Sequence, residues 1–226
     1  MTMRRPMMRP LLVLAALAAL HACAPATTAR LPAPWVDLDL SAGQLPGSAA
    51  AADGGLRIQG TLDLWGSADG GHLVWQRAAG DATLTACVAA LDNPGAMIHA
   101  KASLCIRASL APGARQVTFC ATAADGTQFI YRDETDAKAK LLPADVAAAA
   151  ARVAKARFPC WLRLDRHGSE ISAFESADGE TWTAYGHLTL DLGAEAVIGL
   201  SASSHKPDAV ATATFTHVQV TASATR

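Results

Sequence analysis

Aromatic residues are scarce: they make up only 5% of the 226 residues, although 51% are hydrophobic. Alanine supplies much of the difference, and because it packs into strands and helices alike, composition does not choose a fold. The chain also lacks an excess of either charge. Nineteen Lys plus Arg stand against twenty Asp plus Glu, a formal charge of −1. That balance gives no field for gripping a phosphate backbone, so nucleic acid is not an expected partner. Long hydrophobic runs are missing as well. The N-terminal run Leu11 to Leu20 has ten residues, about half of the ~20 that a membrane-spanning helix needs. Catalytic signatures are equally thin: there is no GxSxG, no HExxH and no phosphate-cradling glycine loop in context. Cysteine and histidine form no zinc-type cluster, and no cofactor motif is present.

What the N-terminus does have is an address. Arg4, Arg5 and Arg9 precede the apolar run, and Leu20-His21-Ala22-Cys23 closes it. This order is that of an export signal over residues 1–22. Its end resembles the bacterial lipoprotein box, which implies lipid on Cys23 and, with Ala24 following, an outer-membrane address. Simple secretory cleavage after Ala22 or Ala24 is the alternative. Several acyl chains anchor a protein stably where one is marginal. Membrane contact is expected through that lipid only. Residues 23–34 read as the lipidated end and a Pro/Ala/Thr-rich tether.

Four further cysteines remain in an exported chain, which allows three pairings. A tight hairpin about Ala111-Pro112-Gly113-Ala114 sets Ile106 opposite Phe119 and Cys105 opposite Cys120, close enough for a disulfide. Cys87–Cys160 follows by default. The alternative is four buried free thiols.

From residue 35 to 221, short β-rich stretches recur between Gly and Asp punctuation, among them LRIQGTLDLW, SLCIRASL, QVTFCATA, CWLRLDR and EISAFES. Ala-Asp-Gly occurs at 52–54, 68–70, 124–126 and 177–179. Such spacing predicts an all-β antiparallel sandwich or barrel. Residues 133–157 break the pattern. They are Ala-rich, with Pro143 and Asp145 early and Lys155 and Arg157 late, and predict one inserted helix over about 144–157. A loop without helix is the other reading of that segment. In the hairpin about Arg166-His167-Gly168-Ser169, Leu164 is set opposite Ile171 and Leu162 opposite Ala173, making one apolar face. The other face carries Trp161 opposite Phe174, with Arg163 beside them.

Taken in order, LDLWGSADGGHLVWQRAAGDATLTACV, KASLCIRASL, PCWLRLDRHGSEISAFESADGETW and VIGLSASSH resemble the uncharacterised bacterial concanavalin A-like domains often labelled regulation-of-enolase-like. The resemblance covers roughly residues 35–221 and implies a lectin/glucanase-type jelly-roll sandwich. Cys87, Cys105 and the Ala-rich insertion depart from it. Residues 176–182, SADGETW, resemble the Asp-box turn of sialidase-type hairpins, with Trp182 packed beneath.

A retaining glycosidase needs two carboxylates about 5–5.5 Å apart. No acidic cluster supplies this: Asp63 has no partner two positions away, Asp37 and Asp39 lie at the tether boundary, and Glu170 and Glu175 point to opposite faces of a regular strand. The six histidines beyond the signal are scattered. Binding is the better expectation, because sugars stack their C–H faces on aromatic rings while polar groups fix the hydroxyls. The candidates are Trp161, Phe174 and Arg163, joined by Trp65 and His72 if their strands neighbour this one. If that face is covered by the insertion, or is the true interior, a structural or protein-interaction module of the envelope is the alternative. A hydrolase or lyase with an unrecognised site is the third. No oligomeric state follows from the sequence.

Overall fold

The computed structural model describes residues 30–42, 45–52, 54–95, 97–142 and 158–222. The export signal, Cys23 and the helix expected over 144–157 lie outside the described residues. Among the described residues, fourteen strands build two seven-stranded antiparallel sheets. The first contains β1 (Val36–Asp39), β4 (His72–Ala79), β13 (Glu195–Ser203), β6 (Lys101–Arg107), β7 (Gln116–Thr122), β8 (Thr127–Arg132) and β9 (Lys140–Leu142), in that order. The second runs β12 (Thr183–Thr189), β11 (Glu170–Ser176), β10 (Cys160–His167), β5 (Ala82–Asp92), β14 (Ala211–Ala222), β3 (Gly55–Gly60) and β2 (Ser48–Ala52). Repeated crossings from one sheet to the other make the expected jelly-roll sandwich.

Period-two patterning explains the packing. Leu84, Ala86 and Val88 of β5, Leu162 and Leu164 of β10, and Ile171 and Ala173 of β11 meet Leu104, Ile106, Val117 and Phe119 of the facing sheet in one core. Trp161, Arg163 and Phe174 therefore stand on the outer face of the second sheet.

Both hairpin registers differ from expectation by two residues. His167 pairs with Glu170, leaving only Gly168-Ser169 in the turn, so Arg163 lies opposite Phe174, Trp161 opposite Ser176 and Leu164 opposite Ala173. Gly168 takes a φ of 60° there, as a two-residue turn requires. Between β6 and β7, Arg107 pairs with Gln116, which places Cys105 opposite Thr118 and Cys120 opposite Ser103. A diagonal offset of this kind separates Cα atoms by roughly 7–8 Å, beyond what a disulfide spans.

The second expected bridge fails for a different reason. Cys87 pairs with Trp161 and Cys160 with Val88, so the two cysteines occupy neighbouring register positions of opposite parity and point to opposite faces of the sheet. All four thiols are free in the structure. Burial pushes Cys105, Cys120 and Cys160 up to about 12, which keeps them protonated and unreactive.

The outer face of the first sheet is not a solvent face. Every residue of β6 and β7 is buried. Three connections, 61–71, 108–115 and 133–139, lie across it and are tied to one another. Asp69 N–H donates to Pro112 O, Asp136 N–H to Gly113 O and Ala139 N–H to Gly66 O. At their centre Asp69 binds Arg107 at 2.5 Å and Arg132 at 2.6 Å, with all three side chains fully buried. Arg132 spends its remaining donors on the carbonyls of Gly66, Pro112, Ala114 and Ala137. Beneath the cover, Leu64, Leu73, Cys105 and Val197 form a second apolar cluster, with Trp75 packed against it.

Candidate functional site

The candidates expected from sequence do not form one surface. His72 is 4% exposed and held between two carboxylates of β1: Nδ1 lies 2.9 Å from Asp39 Oδ1 and Nε2 lies 2.9 Å from Asp37 Oδ2. It belongs to the other sheet from Trp161, and with both ring nitrogens engaged it has none to offer a ligand. Trp65 also lies away from Trp161, in the loop that crosses the first sheet.

Trp161, Phe174 and Arg163 do share a face, and Arg163 lines a cavity of about 280 Å³ there with Trp182, Thr83, Thr85 and Gln219, but the rings are packed on by neighbouring side chains. The Trp161 ring meets His217 at 5.0 Å, and the 176–182 turn closes over it so tightly that a Cβ on Gly179 would sit 2.7 Å from Trp161 Cε2. Arg163 lies 4.2 Å from the Phe174 ring centre and 4.9 Å from that of Trp182. Trp182 thus packs on Arg163, and the ring under the turn is Trp161. Cation–π packing of this sort occupies the ring faces, and Arg163 Nε lies 3.2 Å from Asp165 Oδ2.

The same turn carries a measurable signature. Asp178 Oδ1 accepts N–H bonds from Thr181 at 2.8 Å and Glu180 at 2.9 Å, and a hydroxyl bond from Ser176. Those donors, Thr181 first, lower Asp178 from 3.8 to about 2. A carboxylate depressed in the folded state stabilises the turn above its unfolded value and loses that contribution as pH falls through the folded one. Carboxyl NMR is expected to give Asp178 a midpoint near 2, with the 176–182 amides shifting over the same acid window. A midpoint at the ordinary aspartate value refutes the bonded turn.

A second arrangement of convergent polar groups, this one around an exposed ring, lies elsewhere among the described residues. A cavity of about 280 Å³ is lined by Asp63, Trp65, His99, Lys101, Gln128, Leu141 and His205. Trp65 is 38% exposed, the only exposed tryptophan among the described residues. Lys101, at the start of β6, is 3% exposed and donates to Asp63 Oδ1 at 2.7 Å and to His99 O at 2.9 Å. The other oxygen of Asp63 takes His205 Nδ1 at 2.5 Å. His99 Nδ1 pairs with Asp125 Oδ2. The His99 and His205 rings stand 5.1 Å apart and tilted by 60°.

Backbone geometry explains how these groups meet. Leu62 and His205 both take positive φ, 56° and 62°. Leu62 N–H donates to Lys206 O at 2.8 Å, and His205 N–H donates to Leu62 O at 2.7 Å. Two uncommon conformations are thus held by reciprocal bonds, which lock the Asp63 loop to the His205 loop. The strand expected through LRIQGTLDLW ends at Gly60 for the same reason. In the sequence Asp63 stands unconnected to His99 and His205, two of the scattered histidines, and Lys101 and Gln128 carry no signal. Asp63 and His205 are 142 positions apart, so only the fold joins them.

No family model and no curated protein sequence matches the chain. Among solved structures, a functionally unknown protein from Saccharomyces cerevisiae shares the fold, with a TM-score of 0.61, 13% identity, and 84% of this chain and 97% of that one covered. The GH43 BlXynB protein from Bacillus licheniformis matches at a TM-score of 0.54 and 16% identity, over 77% of this chain and 34% of that one. A xylan β-1,4-xylosidase from Bacillus halodurans matches at 0.54 and 14%, over 81% and 38%. This chain spans about a third of those last two proteins. At such identities the likeness establishes the sandwich fold.

Proposed function

We propose that the protein is an exported envelope protein, held to the bacterial outer membrane by lipid on Cys23, whose sandwich binds carbohydrate without transforming it. The order of its sequence motifs supports placing it among the regulation-of-enolase-like concanavalin domains. The observation that carries the binding reading is the exposed Trp65 ring at the rim of a cavity walled by Lys101, Gln128, His99 and His205. A ring to stack on and a few fixed polar groups are what a sugar requires. The Trp161 face, where sequence alone locates the ligand, takes a packing role in this reading.

One protein of the same fold is a xylan β-1,4-xylosidase, so β-1,4-xylan oligosaccharides belong in the first panel of ligands beside a general glycan array. Binding is expected to fall about 30-fold in Trp65→Ala, the effect of losing an aromatic anchor worth ~2 kcal/mol. Trp161→Ala is expected to leave the affinity of the folded protein unchanged. An array and polysaccharide pull-down without signal, or Trp65→Ala binding like the parent, overturns the reading.

A further inference from the structure

We propose that His99 and His205 form a two-nitrogen site for a borderline divalent metal ion of the Zn²⁺ class. The inference does not depend on the glycan reading. Each imidazole turns Nδ1 to a carboxylate, His205 to Asp63 at 2.5 Å and His99 to Asp125. With Nδ1 so engaged, Nε2 is the nitrogen left to each ring for a metal, the arrangement by which a carboxylate orients a histidine ligand. Both rings line the same cavity.

Their spacing fits one shared ion. Metal–nitrogen bonds of about 2.0–2.1 Å in a tetrahedral site set two imidazole centres roughly 5 Å apart; here they are 5.1 Å apart. The 60° tilt excludes parallel stacking as the reason for their approach.

Local charge permits a cation. Asp63 and Asp125 contribute two carboxylates, and Lys101 is the only Lys or Arg in the cavity wall. Its ammonium already donates to Asp63 and to the His99 carbonyl. Imidazole suits zinc, copper and nickel, whereas calcium and magnesium require several oxygens. No group of three or more His, Cys, Asp or Glu ligands occurs among the described residues. The ion is accordingly an exchangeable one, its remaining positions open to water or to a ligand hydroxyl.

The test is calorimetric titration of the metal-stripped full chain with Zn²⁺, with folding of each variant checked by circular dichroism. One ion per chain is expected at this site, with affinity at least tenfold lower in His99→Gln and in His205→Asn, the latter chosen because asparagine tolerates positive φ. Asp125→Asn is expected to weaken binding about 10–100-fold, as loss of a carboxylate behind a histidine does. His187→Gln, on an exposed strand position, is expected to bind like the parent. Long-range imidazole ¹⁵N spectra should show the Nε2 of His99 and His205 shifting on zinc addition. Unchanged affinity in both histidine variants, unmoved Nε2 resonances, or no zinc binding at all overturns the proposal, whatever the outcome with sugars.

Discussion

Asp69→Ala is expected to cost ~3–5 kcal/mol of folding stability, because it leaves two arginines buried without a counter-charge. Arg107 and Arg132 are both fully buried, and Arg107 gives one guanidinium nitrogen and Arg132 two to this one carboxylate. Neither can give up its proton, and neither can reach water while three connections close over it. For a chain of this size the loss corresponds to a fall in Tm of roughly 6–20 °C. Denaturant unfolding followed by two probes measures it. Stability within 1 kcal/mol of the parent, a bound set by the ~3–5 kcal/mol expected, would show that the triad does not hold the cover down. Replacing all three residues together by apolar side chains of matched volume should recover much of the loss, since it removes the stranded charges with the pair.

The second large effect lies between the sheets. Phe119→Ala is expected to cost ~3–5 kcal/mol through lost burial and the cavity left behind. Phe119 is fully buried on β7 and meets rings from both layers: Phe129 of β8 at 6.1 Å and Tyr185 of β12 at 4.9 Å. Tyr185 in turn donates its hydroxyl to Thr127 O at 2.7 Å, bridging the layers at that end. Emptying the Phe119 position therefore loosens a contact between sheets as well as within one. Urea unfolding should show a lower midpoint with an unchanged slope, and Phe119→Leu should lose less. Near-parental stability in the alanine variant contradicts the packing described for this end of the core.

Much of the architecture was legible in the sequence, and its physical reason is parity. Leu162, Leu164, Ile171 and Ala173 alternate as a half-buried hairpin must, so the inward and outward sets could be assigned without coordinates. Register was less legible because it depends on turn length. A shift of two residues preserves both faces but separates Cys105 from Cys120. The covered outer face was illegible for another reason. Lys101, Arg107 and Arg132 look like solvent-facing residues on alternating strands, and their burial depends on partners supplied by remote loops. Asp63, His99, Lys101 and His205 carried no local signal as a group. Their meeting depends on two positive-φ residues at loop positions that no hydrophobic period marks.

The three connections clamped over the first sheet also limit the size of any ligand the proposed site could take. A bare sheet face would let an extended polymer lie across several strands and be read along its length. Here that surface is roofed, and the cavity left at its margin holds about 280 Å³, near the lower limit for small-molecule sites. A saccharide entering it would be engaged by a single unit at a chain end or a side branch, not along the middle of a fibre.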